Sequence, residues 1–176
     1  SYASFVSANL LGAELERLRN ALHHAGLWNA RIGGRQHYLR WENPTTWRCW
    51  DQVGLDYDST LGFADRVGFR CSTSREYPVF DLLQRRQLRL RERPLIAMDV
   101  SMVEYMGLSA PEISQVLRSL WSTISRVGGT LEVLIHPSNP MALWMAQRIL
   151  ELNRKPNSAP AVESTPARNG RVSAIG

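Results

Sequence analysis

The sequence contains few cysteines, a single lysine and no long hydrophobic run. Its 176 residues include two cysteines, Cys49 and Cys71, which are too few for a disulfide framework and lack zinc-ribbon spacing. No apolar run approaches the roughly 18 residues that a membrane-spanning helix needs, so we expect no integral membrane segment. No signal-peptide pattern is present, and we expect a cytoplasmic location.

Motifs that identify several common enzyme classes are also missing. The sequence has no GxxxxGK[ST] phosphate loop, no dinucleotide-binding GxGxxG and no GxSxG nucleophile elbow. No two histidines stand three or four residues apart and no two acidic residues are adjacent, so no local set of about three metal ligands is evident. Neither cysteine has a neighbouring histidine, which gives little support to a thiol nucleophile.

Positive charge is carried almost entirely by arginine, because Lys155 is the only lysine and the formal net charge is +5. The densest cluster consists of Arg85, Arg86, Arg89, Arg91 and Arg93. Its alternation with leucine is typical of a strand with one solvated face. A phosphate or nucleic-acid contact is the alternative, but the cluster lacks interleaved aromatic residues, and we expect no nucleic-acid partner.

Apolar periodicity predicts four helices that alternate with short apolar strands. The helices are expected at residues 8–25, from a cap at Asn43-Pro44 to Gly54, from a capping box at Ser109 to Gly128, and at about 141–152. Residues 35–40, 94–100 and 130–136 are expected to be extended, and residues 55–80 to be irregular. This order is typical of an α/β fold with parallel strands. Residues 1–152 are expected to form the domain, and residues 153–176, rich in Pro, Ser, Ala, Asn and Arg, a disordered tail.

Chemistry in such folds concentrates in the loops at the carboxyl ends of strands. Three segments meet this condition: residues 35–38, Asp99 and His136. His136 follows an apolar strand, where it either transfers a proton or merely caps the strand end. An extended segment would place Arg35 and His37 on one face, where they either orient a carboxylate or sugar hydroxyl or form an ordinary polar strand end.

Charged residues, glycines and aromatic residues alternate in the predicted loop over residues 62–70. Such a loop can form the wall of a groove in which aromatic rings face sugar rings. It can equally be pinned to the body of the domain by Arg–Asp pairs.

Four segments resemble, in order, motifs of the polysaccharide deacetylase family, the carbohydrate esterases with a NodB-homology domain. They are residues 34–41 (GRQHYLRW), 54–60 (GLDYDST), 62–70 (GFADRVGFR) and 129–136 (GTLEVLIH). The resemblance covers most of residues 1–140. It implies a partial, distorted (β/α) barrel and a metal-dependent hydrolase that removes acetyl groups from a carbohydrate.

The same resemblance implies catalytic roles for three residues. Arg35 and Tyr38 match an Arg-x-Pro-Tyr-like motif with His37 in place of the proline, and this arginine holds the catalytic base in family members. Asp58 resembles the acid of the following groove motif. His136 corresponds to the general acid that protonates the leaving amine or alcohol.

The expected partner is an acetylated carbohydrate. Tyr38 and Trp41 are expected to contact it, and Ile135, directly before the acid histidine, is expected to pack against the acetyl methyl group.

Two family motifs are missing, namely the strand ending in paired aspartates and the two histidines about four residues apart. These supply the base and the ligands of a divalent metal, usually zinc, so we expect no metal ligands in this chain. On this interpretation the sequence begins inside a deacetylase domain, just past those ligands, and would be poorly stable alone. The alternative is a non-catalytic carbohydrate-binding or interaction domain of degenerate deacetylase fold, and enzyme status is left open.

Overall fold

A computed structural model describes residues 2–27 and 31–152, and these form a mixed α/β fold. The helices are α1 (Ala8–His24), α2 (Thr45–Val53), α3 (Ala110–Val127) and α4 (Ala142–Leu152). The strands are β1 (Gly33–Gly34), β2 (Tyr57–Asp58), β3 (Tyr77–Asp81), β4 (Arg86–Glu92), β5 (Ala97–Met98) and β6 (Val133–Leu134). Short 3₁₀ turns cover Ser4–Val6 and His37–Leu39, and a π-helical turn covers Ser101–Tyr105.

Most helix ends follow the predicted capping chemistry. At α3 the backbone N–H of Ser109 donates to Glu112 Oε2 at 2.8 Å, and the helix ends at Gly128 with φ 64°. Gly54 ends α2 with φ 78°, a left-handed conformation that glycine adopts without steric cost. The predicted cap at Asn43 is wrong: α2 begins at Thr45 after a cis Asn43–Pro44 peptide, and no side chain caps it.

The strands form two sheets. The larger has the order β1-β2-β4-β3, with β1, β2 and β4 parallel and β3 antiparallel to β4. The smaller consists of the parallel pair β5-β6. The predicted parallel strands are therefore present within a mixed sheet, and the described residues do not close a barrel.

The arginine-rich segment forms β4, which lies between β2 and β3 and not at a sheet edge. Leu88 and Leu90 are buried, Arg89 between them is exposed, and Arg91 is half-buried. The stretch expected to be irregular contributes β2 and most of β3, because the pairing of these short segments with β4 is nonlocal.

Apolar side chains form two cores. One lies between the larger sheet and helices α1 and α2, with Leu11, Leu15, Trp50, Val79, Leu88 and Leu90 among its buried members. The other joins β5 to α3 and α4 through Ala97, Met102, Ile113, Leu117 and Met145.

Within residues 2–27 and 31–152, none of the helices combines the length and the apolar character of a membrane span. The predicted disordered tail, residues 153–176, lies outside the described residues.

Candidate active site

The carboxyl ends of β5 and β6 bring an aspartate and a histidine together. The two strands are parallel, with Met98 paired to Leu134, so the residues that follow them are neighbours. His136 Nδ1 lies 2.7 Å from Asp99 Oδ1, and the His136 backbone N–H donates to Asp99 Oδ2 at 2.9 Å.

Asp99 is a fully paired carboxylate. Its side chain is 0% exposed and also accepts hydrogen bonds from the backbone N–H of Val100 and from Asn139 Nδ2, each at 2.9 Å. Burial alone would raise the pKa of Asp99, but the hydrogen bonds from His136, Val100 and Asn139 more than offset this and lower it. An ionised Asp99 accepts a hydrogen bond from Nδ1–H, which leaves the Nε2 lone pair of His136 free.

His136 faces a cavity of about 580 Å³. Its side chain is 42% exposed, and no group in the described part of the chain hydrogen-bonds to Nε2. The cavity lining combines polar and charged residues, Arg35, Gln36, His37, Glu104 and His136, with apolar residues that include Met98, Val100 and Leu134. A histidine held by a buried aspartate beside such a cavity can act as a general acid or base.

Arg35 connects the two sheets at the floor of this cavity. Its guanidinium donates to the carbonyl oxygen of Ser59 at 3.2 Å, to Ser59 Oγ at 3.0 Å and to Glu132 Oε1 at 2.9 Å. Ser59 follows β2 and Glu132 precedes β6 in the chain. Arg35 therefore fixes the position of β6, and with it the loop that carries His136.

Asp58 lies behind the cavity and does not line it. Its side chain is completely buried, Oδ1 accepts from the backbone N–H of Thr60 at 2.9 Å, and Oδ2 has no hydrogen-bond partner among the described residues. Its neighbour across the parallel β2–β4 pair is the equally buried Glu92, which accepts from Trp47 Nε1 at 3.1 Å. Burial raises the pKa of Asp58 to about 7, and burial together with the nearby Asp58 raises that of Glu92 to about 9.

The predicted extended segment after β1 is wrong, because His37–Leu39 is a 3₁₀ turn. Tyr38 and Leu39 have φ values of 58° and 50°, a left-handed region that residues with a side chain rarely occupy. The turn stacks the His37 ring on the Tyr38 ring with centroids 4.2 Å apart, at the mouth of the cavity. Tyr38 is 75% exposed, so an aromatic face is available to a ligand.

Trp41 lies away from the cavity lining. Its ring contacts Trp47 edge to face, with centroids 4.8 Å apart, and its Nε1 is buried with no hydrogen-bond partner in the described part of the chain.

The chain at the end of β6 turns Ile135 away from the cavity, although Ile135 was expected to contact the acetyl group. Leu134 and His136 line the cavity, whereas Ile135 packs against the core around Met102 and Met145. This alternation is the ordinary period of an extended strand.

The loop over residues 62–70 is held to the body of the domain by backbone hydrogen bonds and not by Arg–Asp pairs, since its Asp65–Arg66 pair is exposed and joins adjacent residues. Gly68 N–H donates to the carbonyl oxygen of Ile96 at 2.9 Å, and Arg70 Nη1 donates to that of Gly62 within the loop at 2.9 Å. Ala64 lines the cavity, and Ser101 Oγ donates to its carbonyl oxygen at 2.8 Å.

Sequence reasoning singled out Asp99 as a strand-end acid but did not pair it with His136, and it missed Glu132 and Glu104. Glu104 lies in the π-helical turn at the cavity rim. Such turns are frequent at functional sites, but no sequence pattern predicts one here.

The side chains of the cavity do not fit a metal site by themselves. No group of three His, Cys, Asp or Glu side chains suited to a metal ion occurs among the described residues. His136 Nδ1 is occupied by Asp99, and Asp58 is enclosed behind the cavity.

No protein-family model, curated protein or solved structure matches the chain.

Proposed function

We propose that this chain carries the general acid/base part of a polysaccharide deacetylase-like hydrolase that removes acetyl groups from a carbohydrate. The observation that carries the proposal is the Asp99–His136 pair, whose imidazole faces a 580 Å³ cavity at the carboxyl ends of two parallel strands. The four ordered motifs that resemble the polysaccharide deacetylase family support it.

In the proposed reaction His136 moves a proton at Nε2. Protonated on both nitrogens, it donates that proton to the amine or alcohol that leaves the acetyl carbon. Asp99 stays ionised and stabilises the imidazolium, since four donors satisfy its two oxygens. Arg35 acts as a positioning residue through Ser59 and Glu132.

The cavity offers two surfaces to the substrate. Leu134 and Met98 provide an apolar wall against which an acetyl methyl group can pack. Tyr38, exposed and supported by His37, offers a flat face to a sugar ring.

The architecture and cofactor belong to the same proposal. The parallel strands β1, β2, β4, β5 and β6 would form part of a distorted (β/α) barrel. The divalent metal that the resemblance implies, usually zinc, would depend on ligands outside the described residues.

The test measures acetate release by the complete gene product from N-acetylated and O-acetylated oligosaccharides, with and without added zinc. We expect release, and a loss of about 10²-fold or more in kcat for His136→Ala. His23→Ala, in an exposed part of α1, is the matched control and should retain activity. Absence of acetate release from every substrate would overturn the deacetylase proposal.

A carbohydrate-binding domain without catalysis is the second candidate, favoured by the exposed Tyr38–His37 stack at the cavity mouth. It predicts oligosaccharide binding that Tyr38→Ala weakens, together with no acetate release from the bound sugar. Binding and turnover by the same protein would reject it.

A further inference from the structure

The turn of the β3–β4 hairpin exposes large apolar side chains. Within this hairpin tip, defined as residues 80–86, Leu82 is 72% exposed, Leu83 is 75% exposed and Phe80 is half exposed. A single exposed leucine needs no explanation, but adjacent exposed leucines on a projecting turn form an apolar patch.

The tip is an ordered turn. The buried Asp81 accepts hydrogen bonds at Oδ1 from the backbone N–H groups of Leu83 and Gln84, each at 3.0 Å. Arg48 holds the same carboxylate through Nε at 2.5 Å and Nη2 at 3.0 Å. Asp81 therefore fixes the backbone that presents the two leucines to solvent.

Two arginines follow the exposed leucines in the hairpin tip. Arg85 is exposed, makes no hydrogen bond to any described group, and has a φ of 52°, where glycine is the usual residue. Arg86 is also exposed, and its Nη1 lies 4.0 Å from Asp51 Oδ2. Because Arg48 neutralises Asp81, the exposed charge of the tip is positive.

We propose that the hairpin tip docks this protein onto an anionic lipid surface. Leu82 and Leu83 enter the boundary between headgroups and acyl chains, and Arg85 and Arg86 bind lipid phosphates. Guanidinium groups bind phosphate oxygens in a bidentate manner, and apolar side chains flanked by basic residues are typical of peripheral membrane binding.

The shape of the tip favours a lipid surface over a protein groove. A stable protein interface buries about 800 Å² on each partner, whereas the apolar part of the tip consists of three side chains on a convex turn. A lipid surface adapts to a convex insertion and needs no complementary pocket.

The docked orientation leaves the cavity accessible. The tip precedes the amino end of β4, whereas the cavity lies at the carboxyl ends of the parallel strands. The seven residues of β4 separate the two by about 20 Å. The inference does not depend on the reaction proposed for the cavity.

The test is co-sedimentation of the complete protein with vesicles of phosphatidylcholine alone or of phosphatidylcholine with phosphatidylglycerol. We expect binding to the anionic vesicles only, weakened about tenfold or more by Leu82→Ser/Leu83→Ser. Neutralising Arg85 and Arg86 with glutamine should weaken binding about fivefold for each charge. Leu143→Ser, at an equally exposed leucine on α4, is the control and should bind as the wild type does.

Thermal unfolding of each variant separates a lost contact from a lost fold, because the mutated side chains are exposed and Tm should change little. Three outcomes would overturn the proposal: no binding to anionic vesicles, binding that the serine variant retains, or self-association without vesicles that the serine variant abolishes. A fourth such outcome is oligonucleotide binding as tight as vesicle binding that the Arg85 and Arg86 substitutions weaken and the serine substitutions do not, which would assign the tip to nucleic acid.

Discussion

Asp99 holds the His136 ring at 2.7 Å through Nδ1 and holds the His136 backbone N–H at 2.9 Å with its other carboxylate oxygen. One buried side chain thus fixes both the position of the histidine loop and the orientation of its ring. Because β5 and β6 are parallel neighbours, this arrangement requires only one acid and one histidine at equivalent strand ends. The pair is the chemical centre of the proposed site.

Asp99→Asn should cause a large loss of the proposed deacetylase activity in a protein that still folds. The carboxylate accepts from four donors on Val100, His136 and Asn139, whereas an amide has a single acceptor oxygen. The variant also loses the negative charge that stabilises the imidazolium. We expect a loss of about 10²-fold in kcat, measured by acetate release, with a folded protein by circular dichroism.

Asp65→Asn is the matched control, because Asp65 is exposed and forms an ion pair with the adjacent, equally exposed Arg66. It should keep wild-type activity. Wild-type activity in Asp99→Asn would remove the pair from the mechanism.

Local signals in the sequence predicted the helices better than the strands. The stops at Gly54 and Gly128 and the Ser109–Glu112 capping box are confirmed because each depends on residues within one turn. The two-residue strands β1, β2, β5 and β6 depend on partners far away in sequence. The same limit applies to the segment after β1, whose 3₁₀ turn places Tyr38 and Leu39 at positive φ.

The sequence pattern indicated the candidate residues that stand at strand ends, but it did not indicate their hydrogen-bond partners elsewhere in the chain. Arg35, Asp99 and His136 stand out in the sequence because each follows a glycine pair or an apolar run. The partners Ser59 and Glu132 lie 24 and 97 residues from Arg35, and nothing in the local pattern relates them. The placement of Ile135 in the core follows from strand alternation once His136 is placed in the cavity.

Leu134→Ala should mainly weaken substrate binding, whereas Ile135→Ala should mainly lower stability. Ile135 packs in the core, so its truncation should lower the free energy of unfolding by about 2 kcal/mol with little change in KM. Leu134 lines the cavity, so its truncation should raise KM for the acetylated sugar with a smaller loss of stability. Urea unfolding and steady-state kinetics check the pair, and a KM effect confined to Ile135→Ala would place the acetyl group on the other face of β6.

Glu76→Gln should destabilise the arginine-rich strand. Glu76 binds Arg31, Arg91 and Arg93 at 2.6 to 3.0 Å. Burial opposes ionisation of Glu76, but hydrogen bonds from these arginines outweigh it and lower the pKa to about 2. Because the folded pKa is depressed, the stabilisation is present above about pH 4.5 and is lost as the pH falls toward 2.

At pH 7 we expect Glu76→Gln to lose about 1 kcal/mol of unfolding free energy, since partly exposed ion pairs are screened. The loss should shrink in 1 M NaCl. Glu151→Gln, which breaks the exposed pair with Arg148, should cost almost no unfolding free energy. Equal losses of unfolding free energy in Glu76→Gln and Glu151→Gln would show that Glu76 does not stabilise the protein through its three arginines. A loss in Glu76→Gln that 1 M NaCl leaves unchanged would show the same.

The buried pair of Asp58 and Glu92 should make stability depend on pH in the opposite direction to Glu76. The two carboxyl groups are neighbours across β2 and β4, are enclosed, and cannot both ionise without repulsion. Their raised pKa values, about 7 and about 9, mean that the folded protein keeps protons which the unfolded chain releases near pH 4. The contribution of the pair to stability therefore falls as the pH rises from about 4 through 9.

Glu92→Gln should accordingly weaken the pH dependence of stability between pH 5 and pH 8. The amide keeps one acceptor for Trp47 or Leu61 and supplies N–H donors where the Asp58 Oδ2 atom has no partner. The loss of unfolding free energy from pH 5 to pH 8, measured in urea, should be smaller than in the wild type by on the order of 1 kcal/mol. Glu104→Gln, at an exposed carboxylate, should leave the wild-type dependence unchanged. If Glu92→Gln and the wild type lose the same free energy over this interval, Glu92 is already ionised at pH 5 and the two carboxyl groups do not share a proton.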